Sequence, residues 1–183
     1  MDFLKRQQGG KTMKDSELRM IETMLKKQDE LNSAIMKEYG LTTISKEQID
    51  LATLDEIGEF THELKGEWCW WKKTQAPVDR KKVLGELVDI WHFVLSWQNH
   101  FKDGEEGMIN ARAVVRNSKR ILNLIKTKEY RLSEELSDLV AWPLCKLERL
   151  IAIAEYLGFT IEQVYEAYCD KNKVNYQRLE SGY

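Results

Sequence analysis

From residue 18 onward, apolar residues recur at helical spacing. Leu18, Ile21, Met24, Leu25, Leu31 and Ile35 mark a first helix that ends near Tyr39 and Gly40, where glycine can close the last turn. Ser45, with Glu47 and Gln48 behind it, has the look of an N-terminal cap, and Ile49, Leu51, Leu54, Ile57, Phe60 and Leu64 carry a second helix to Gly66. A tryptophan-rich turn, WCWWKKTQAPVD, separates it from a third helix over 79–101. The centre of that helix, LVDIWHFVLSW, is apolar on almost every side and should be the most buried in the molecule. Asp103, Gly104 and Gly107 interrupt the pattern before a more polar, peripheral helix over 108–127 that carries Arg112, Arg116, Lys119 and Arg120. Ser133 opens a fifth helix running to Tyr156 with a kink at Pro143, and Gly158 ends it. Thr160 caps the last helix, which grows more basic and polar toward its end.

Strands of alternating Val, Ile and Thr are absent and prolines are limited to Pro77 and Pro143, so the pattern predicts an all-α fold, a bundle of about five to six helices. At 183 residues, 43% of them hydrophobic, the chain can bury one sizeable core, read here as a single domain over 14–183 behind a flexible N-terminal tail of residues 1–13. A formal net charge of −2, with lysine and arginine spread along the length, lacks the basic face of a nucleic-acid binder. Any phosphate-bearing partner should be small. Cys69, Cys145 and Cys169 are odd in number and lack metal-knuckle spacing, which fits a reducing compartment. The N-terminal residues do not read as a signal peptide and no stretch reads as a membrane span, so the expectation is a cytoplasmic protein with no membrane partner.

Acidic residues change the picture more than composition does. Glu56 and Glu59 stand at i, i+3 on the second helix, and Glu86 and Asp89 repeat that spacing on the third. On the third helix Glu86, Asp89, Phe93 and Ser96 share one stripe, while Leu87, Val88, Ile90, Trp91, Val94 and Leu95 cover the remainder. A single ExxE is ordinarily a solvated helix face. Two acidic pairs on neighbouring helices, one inside the most apolar segment, would repel or take up protons unless cations compensated them. Hard oxygen donors suit magnesium, and two or more such ions would neutralise four carboxylates.

These segments, in this order, resemble the all-α dimeric dUTPases, relatives of the MazG-type pyrophosphohydrolases of bacteria and phages. The resemblance runs from Gln28 and Asn32 in KQDELN, through Glu56 and Glu59, the WCWWK turn, Glu86, Asp89 and His92 in ELVDIWHF, to the terminal YCDKNKVNYQRLESGY, and it is weakest over 104–131. It implies an all-α nucleoside triphosphate pyrophosphohydrolase architecture, a homodimer, and metal ligation by Glu56, Glu59, Glu86 and Asp89. It also implies base contacts from Gln28, Asn32, Trp70 and His92, with Lys72 as the following basic residue. Lys171, Asn172, Asn175, Arg178 and Tyr183 would meet the phosphates and sugar. Cys69 stands where a lysine is common in the family.

The residues themselves leave alternatives open. Lys171, Asn175 and Arg178 form one cationic, amide-bearing edge suited to phosphate oxygens, or a solvated helix end. Gln28 and Asn32 can each donate to and accept from a base edge, yet taken alone they read as surface residues. His92 is either a site residue or a hydrogen-bonded core histidine, and Trp68, Trp70 and Trp71 are either core or a stacking platform. The chemistry expected is magnesium-dependent hydrolysis of dUTP, or dUDP as well, with Glu56 or Glu59 handling the proton of the attacking water and attack at the β-phosphorus implied by the resemblance. Rivals are a related pyrophosphohydrolase acting on dCTP or a broad set of triphosphates, and a non-catalytic helical dimer that binds nucleotide or protein.

Overall fold

The computed structural model describes residues 13–101, 111–127 and 131–182. Seven α-helices follow one another with no strand among these residues: α1 (Asp15–Glu38), α2 (Lys46–Leu64), α3 (Arg80–Phe101), α4 (Ala111–Thr127), α5 (Leu132–Ala141), α6 (Lys146–Tyr156) and α7 (Ile161–Glu180). The all-α reading of the sequence holds. Residues 1–12 of the tail expected over 1–13, the glycines at 104 and 107 and the start of the fourth helix lie outside the described residues.

Local chemistry sets most boundaries. Tyr39 caps the C-terminus of α1 and Gly40 follows at φ +63°, a backbone that glycine adopts without strain. Ser45 accepts a hydrogen bond from the Gln48 amide while the Gln48 side chain returns to the Ser45 amide, a reciprocal cap that starts α2. Thr160 and Gln163 repeat the device at α7. One expectation needs correction. The helix foreseen over 133–156 with a kink is two helices, α5 and α6. Trp142, which precedes Pro143, takes an extended backbone, and Cys145 sits at φ +61° before α6 begins, so the chain turns rather than bends.

Helix α3 lies at the centre and packs against α1, α2, α6 and α7. Its Val83, Leu87, Val88, Ile90, Trp91, Val94, Leu95 and Trp97 are buried, as the unbroken apolar run predicted. Ile21 and Met24 of α1, Phe60 and Leu64 of α2 and Val164 and Tyr168 of α7 close around it, each large buried side chain contributing about 1.5–3 kcal/mol. Helix α6 is apolar through Leu147, Leu150, Ile151 and Ile153 because it lies between α3 and α4. Peripheral α4 turns Val114, Ile121, Leu122 and Ile125 toward it.

Charged groups staple the layers. Glu135 of α5 is buried and paired with Arg149 of α6, which also holds Asp138 at 2.9 Å. Lys146 is buried, donates to the Leu139 carbonyl, lies 3.5 Å from Asp50 of α2, and stands 5.0 Å over the Trp97 ring. Arg80 reaches from the start of α3 to the carbonyls of Leu157 and Gly158, fixing the α6–α7 turn. Helix α2 departs from its predicted stripe: Ile49, Phe60 and Leu64 face the core, but Leu51 and Leu54 are exposed on the opposite side. Trp142 and Leu144, beyond the end of α5, are exposed too. No helix among the described residues is long and apolar enough to cross a membrane.

Candidate active site

The packing of α2 on α3 turns their acidic stripes toward each other. Carboxylate oxygens of Glu56, Glu86 and Asp89 lie within 4.8 Å of one another. Glu59 is outside that triplet and exposed, but with Glu86 it lines an adjoining cleft of about 380 Å³, together with Asp55, Gly58, His62 and Glu63. Three of the expected four carboxylates therefore converge, and the fourth stands at the cleft wall.

The electrostatics of the triplet are those of crowded acids. Burial and then the charges of Asp89 and Glu59 raise the Glu56 carboxyl from 4.5 to about 7, against the pull of Lys171. Glu86 is raised by burial and then by Asp89 and Glu59. Asp89 is raised by burial, partly offset by Lys171, which donates to its Oδ2 at 2.6 Å, and by the charge of Arg178. Lys171 and Arg178 of α7 thus act on the acids from a third helix.

Behind the acids, α1, α3 and α7 enclose a polar lane. Gln28 and Asn32 are buried, which overturns their reading as surface residues. Gln28 donates from Nε2 to Asn32 Oδ1 at 2.9 Å, and Asn32 donates to Ser96 Oγ at 3.0 Å. His92 Nδ1 lies 2.7 Å from Gln28 Oε1, and its ring stacks on Tyr168 with centroids 4.4 Å apart. Tyr168 donates its hydroxyl to the same Gln28 Oε1 at 2.9 Å and lies 3.2 Å from the Met24 carbonyl. Burial, and then Lys171, lower His92 from 6.5 to about 3, so the imidazole is neutral at physiological pH. His92 Nε2 and Asn172 Nδ2 are both buried without a hydrogen-bond partner, a condition that ordinarily costs about 1–3 kcal/mol per group.

Tyr168 opens the YCDKNKVNYQRLESGY segment without a role of its own, although it stands three residues before Lys171 and four before Asn172, on the same face of α7. Ser96 was placed on the acidic stripe without a role. Asn175 is half-buried on α7, and Tyr183 lies outside the described residues. The three tryptophans of the α2–α3 connection are not core: Trp68, Trp70 and Trp71 are 45%, 88% and 57% exposed and meet edge to face, with Lys72 exposed beside them. Cys69, between them, is buried.

Carboxylates gathered on facing helices, cations from a third, and a buried amide and imidazole lane alongside suit a helical hydrolase of small phosphate anhydrides. Over residues 20–183 the chain matches the family model described as dUTPase, and it belongs to that all-α dUTPase family. It is accordingly a dUTP diphosphatase-like enzyme whose substrate is a nucleotide. No curated protein matches the chain.

Proposed function

We propose that the protein hydrolyses dUTP to dUMP and pyrophosphate with magnesium held by Glu56, Glu59, Glu86 and Asp89. The observation that carries the metal is the triplet of carboxylates whose proton affinity stays raised despite the Lys171 pairing, a cluster of hard oxygen donors that suits a divalent cation. When bound, such an ion supplies acidity to a ligated water and positive charge for the phosphoryl oxygens.

The chain's own groups account for the remaining steps. Glu56, whose carboxylate lies within 4.8 Å of those of Glu86 and Asp89, would accept the proton of the attacking water. Lys171 and Arg178 place two cations where the triphosphate oxygens would lie, and Lys171 is the closer, already paired with Asp89. Asn175 and Tyr183 belong to the same phosphate- and sugar-binding end. The buried lane supplies base recognition. Gln28 and Asn32 hold the inner wall, and His92 Nε2, as acceptor, and the Asn172 amide, as donor, would meet the base edge. An acceptor and a donor match a ring N–H beside a carbonyl, the edge that uracil has and cytosine lacks. Trp70 is free to cover the base, with Lys72 on the same turn.

The exposed Leu51, Leu54, Trp142 and Leu144 support a homodimer in which these side chains meet a second copy. The test of the activity is pyrophosphate release from dUTP, dUDP, dTTP, dCTP and UTP, with and without magnesium. Release from dUTP that depends on magnesium, with dCTP turned over poorly, is expected. Equal rates on dCTP and dUTP would instead favour a broad pyrophosphohydrolase, and no release would favour a binding module.

A further inference from the structure

Asp89 belongs to two charge arrangements at once. Its Oδ2 accepts from the Lys171 ammonium at 2.6 Å, and it is also one of the three carboxylates whose oxygens lie within 4.8 Å of one another. Among the described residues Asp89 is the one carboxylate that Lys171 pairs with, yet the lysine charge acts on Glu56 and Glu86 as well. The Asp89 and Lys171 side chains are 11% and 33% exposed, so water screens the pair less than it screens a surface ion pair. A divalent cation ligated by this triplet would share a carboxylate with a positive charge that the protein already supplies, and the two would repel.

We infer that Lys171 is the resident counter-ion of the carboxylate triplet and restrains its metal affinity: paired with Asp89 it weakens divalent-cation binding, and a triphosphate that takes over the ammonium lifts that restraint. This rests on the reading above, in which the triplet holds magnesium and dUTP is the substrate. Lysine suits such an exchange, because its ammonium is a compact charge on a flexible four-carbon stem and can leave one oxygen for another while α7 stays in place. Arg178, two turns further along the same face of α7, also acts on Asp89 by its charge and adds positive potential at the end where the phosphates would arrive. The consequence is coupling. Metal and nucleotide each strengthen the binding of the other by the same factor, and Lys171 carries part of that factor. An ion pair that served only to join α3 to α7 would have no such effect, and its loss would leave metal binding unchanged or poorer.

Mn2+ binding followed by electron paramagnetic resonance tests the inference, first without nucleotide. Lys171→Met removes the charge and keeps most of the stem, and it should bind Mn2+ about tenfold or more tightly than wild type, while Lys171→Arg, which keeps the charge, should stay near the wild-type affinity. Lys173→Met removes an exposed lysine that pairs with Asp170 instead, and it should change little. In an Asp89→Asn background Lys171→Met should gain far less, as the shared carboxylate requires. With the non-hydrolysable α,β-imido analogue of dUTP added, and the analogue's own Mn2+ binding subtracted, affinity should rise more in wild type than in Lys171→Met. Equal or weaker Mn2+ binding by a Lys171→Met protein with unchanged circular dichroism, an equal gain from Lys173→Met, or an equal response to the analogue in both proteins would overturn the inference. Absence of saturable binding in every protein would overturn it together with the metal reading. The expected pattern in a protein that does not hydrolyse dUTP would instead remove the dUTPase activity and leave the restraint by Lys171 standing.

Discussion

Glu56→Gln should make the metal-free protein more stable at alkaline pH while destroying its activity. The Glu56 carboxyl is raised from 4.5 to about 7 by burial and by its acidic neighbours, so the native state holds its proton more tightly than the unfolded chain does. For a group raised in this way, the stabilising contribution is complete below 4.5 and is lost as pH climbs through about 7. The difference corresponds to about 3 kcal/mol at the limit, and solvent access to this half-buried carboxylate reduces it to about 1–2 kcal/mol. Glutamine keeps the shape and removes the charge. Thermal unfolding in EDTA should therefore show the variant gaining roughly 2–8 °C over wild type at pH 8.5 and almost nothing at pH 4.5. In magnesium the order should reverse, because the wild type alone keeps its full set of ligands. A variant no more stable than wild type at pH 8.5 without metal, or equally favoured at both pH values, would refute the crowding of these acids.

The charges that serve only the fold should behave differently. Arg149→Met strands Glu135 in the core and should lower stability by about 3 kcal/mol in urea unfolding at pH 8, with kcat for dUTP unchanged at temperatures where the variant is folded. The Glu135 carboxyl is already raised by burial, so that loss should shrink as pH falls and the stranded group takes up a proton. Ser45→Ala removes the reciprocal cap of α2 and should cost about 1 kcal/mol by the same measurement, without altering base preference.

Much of this architecture is legible in the residues because it is local. Ser45, Thr160 and Gly40 mark helix ends by hydrogen bonding and backbone freedom that any sequence carries with it. The apolar run of α3 marked its central place, and Glu86 and Asp89, which interrupt it, marked a candidate site. What periodicity cannot supply is the partner of a face. Leu51 and Leu54 share the spacing of core residues but point away from the core, and the tryptophans at 68, 70 and 71 are exposed for all their bulk. Gln28 and Asn32 read as surface amides until α3 and α7 close over them with His92, Ser96 and Tyr168. Pro143 signalled a disturbance, but only the left-handed turn at Cys145 makes it a break between α5 and α6.

Binding of Mn2+, as a paramagnetic substitute for magnesium, to wild type and to Asp89→Asn in the absence of nucleotide tests the shared carboxylate site most directly. Electron paramagnetic resonance of free Mn2+ should show saturable binding to the wild type and at least tenfold weaker binding to a variant whose circular dichroism is unchanged. Equal binding by the two proteins, or none by the wild type even when dUTP is added, would contradict a cation held between α2 and α3.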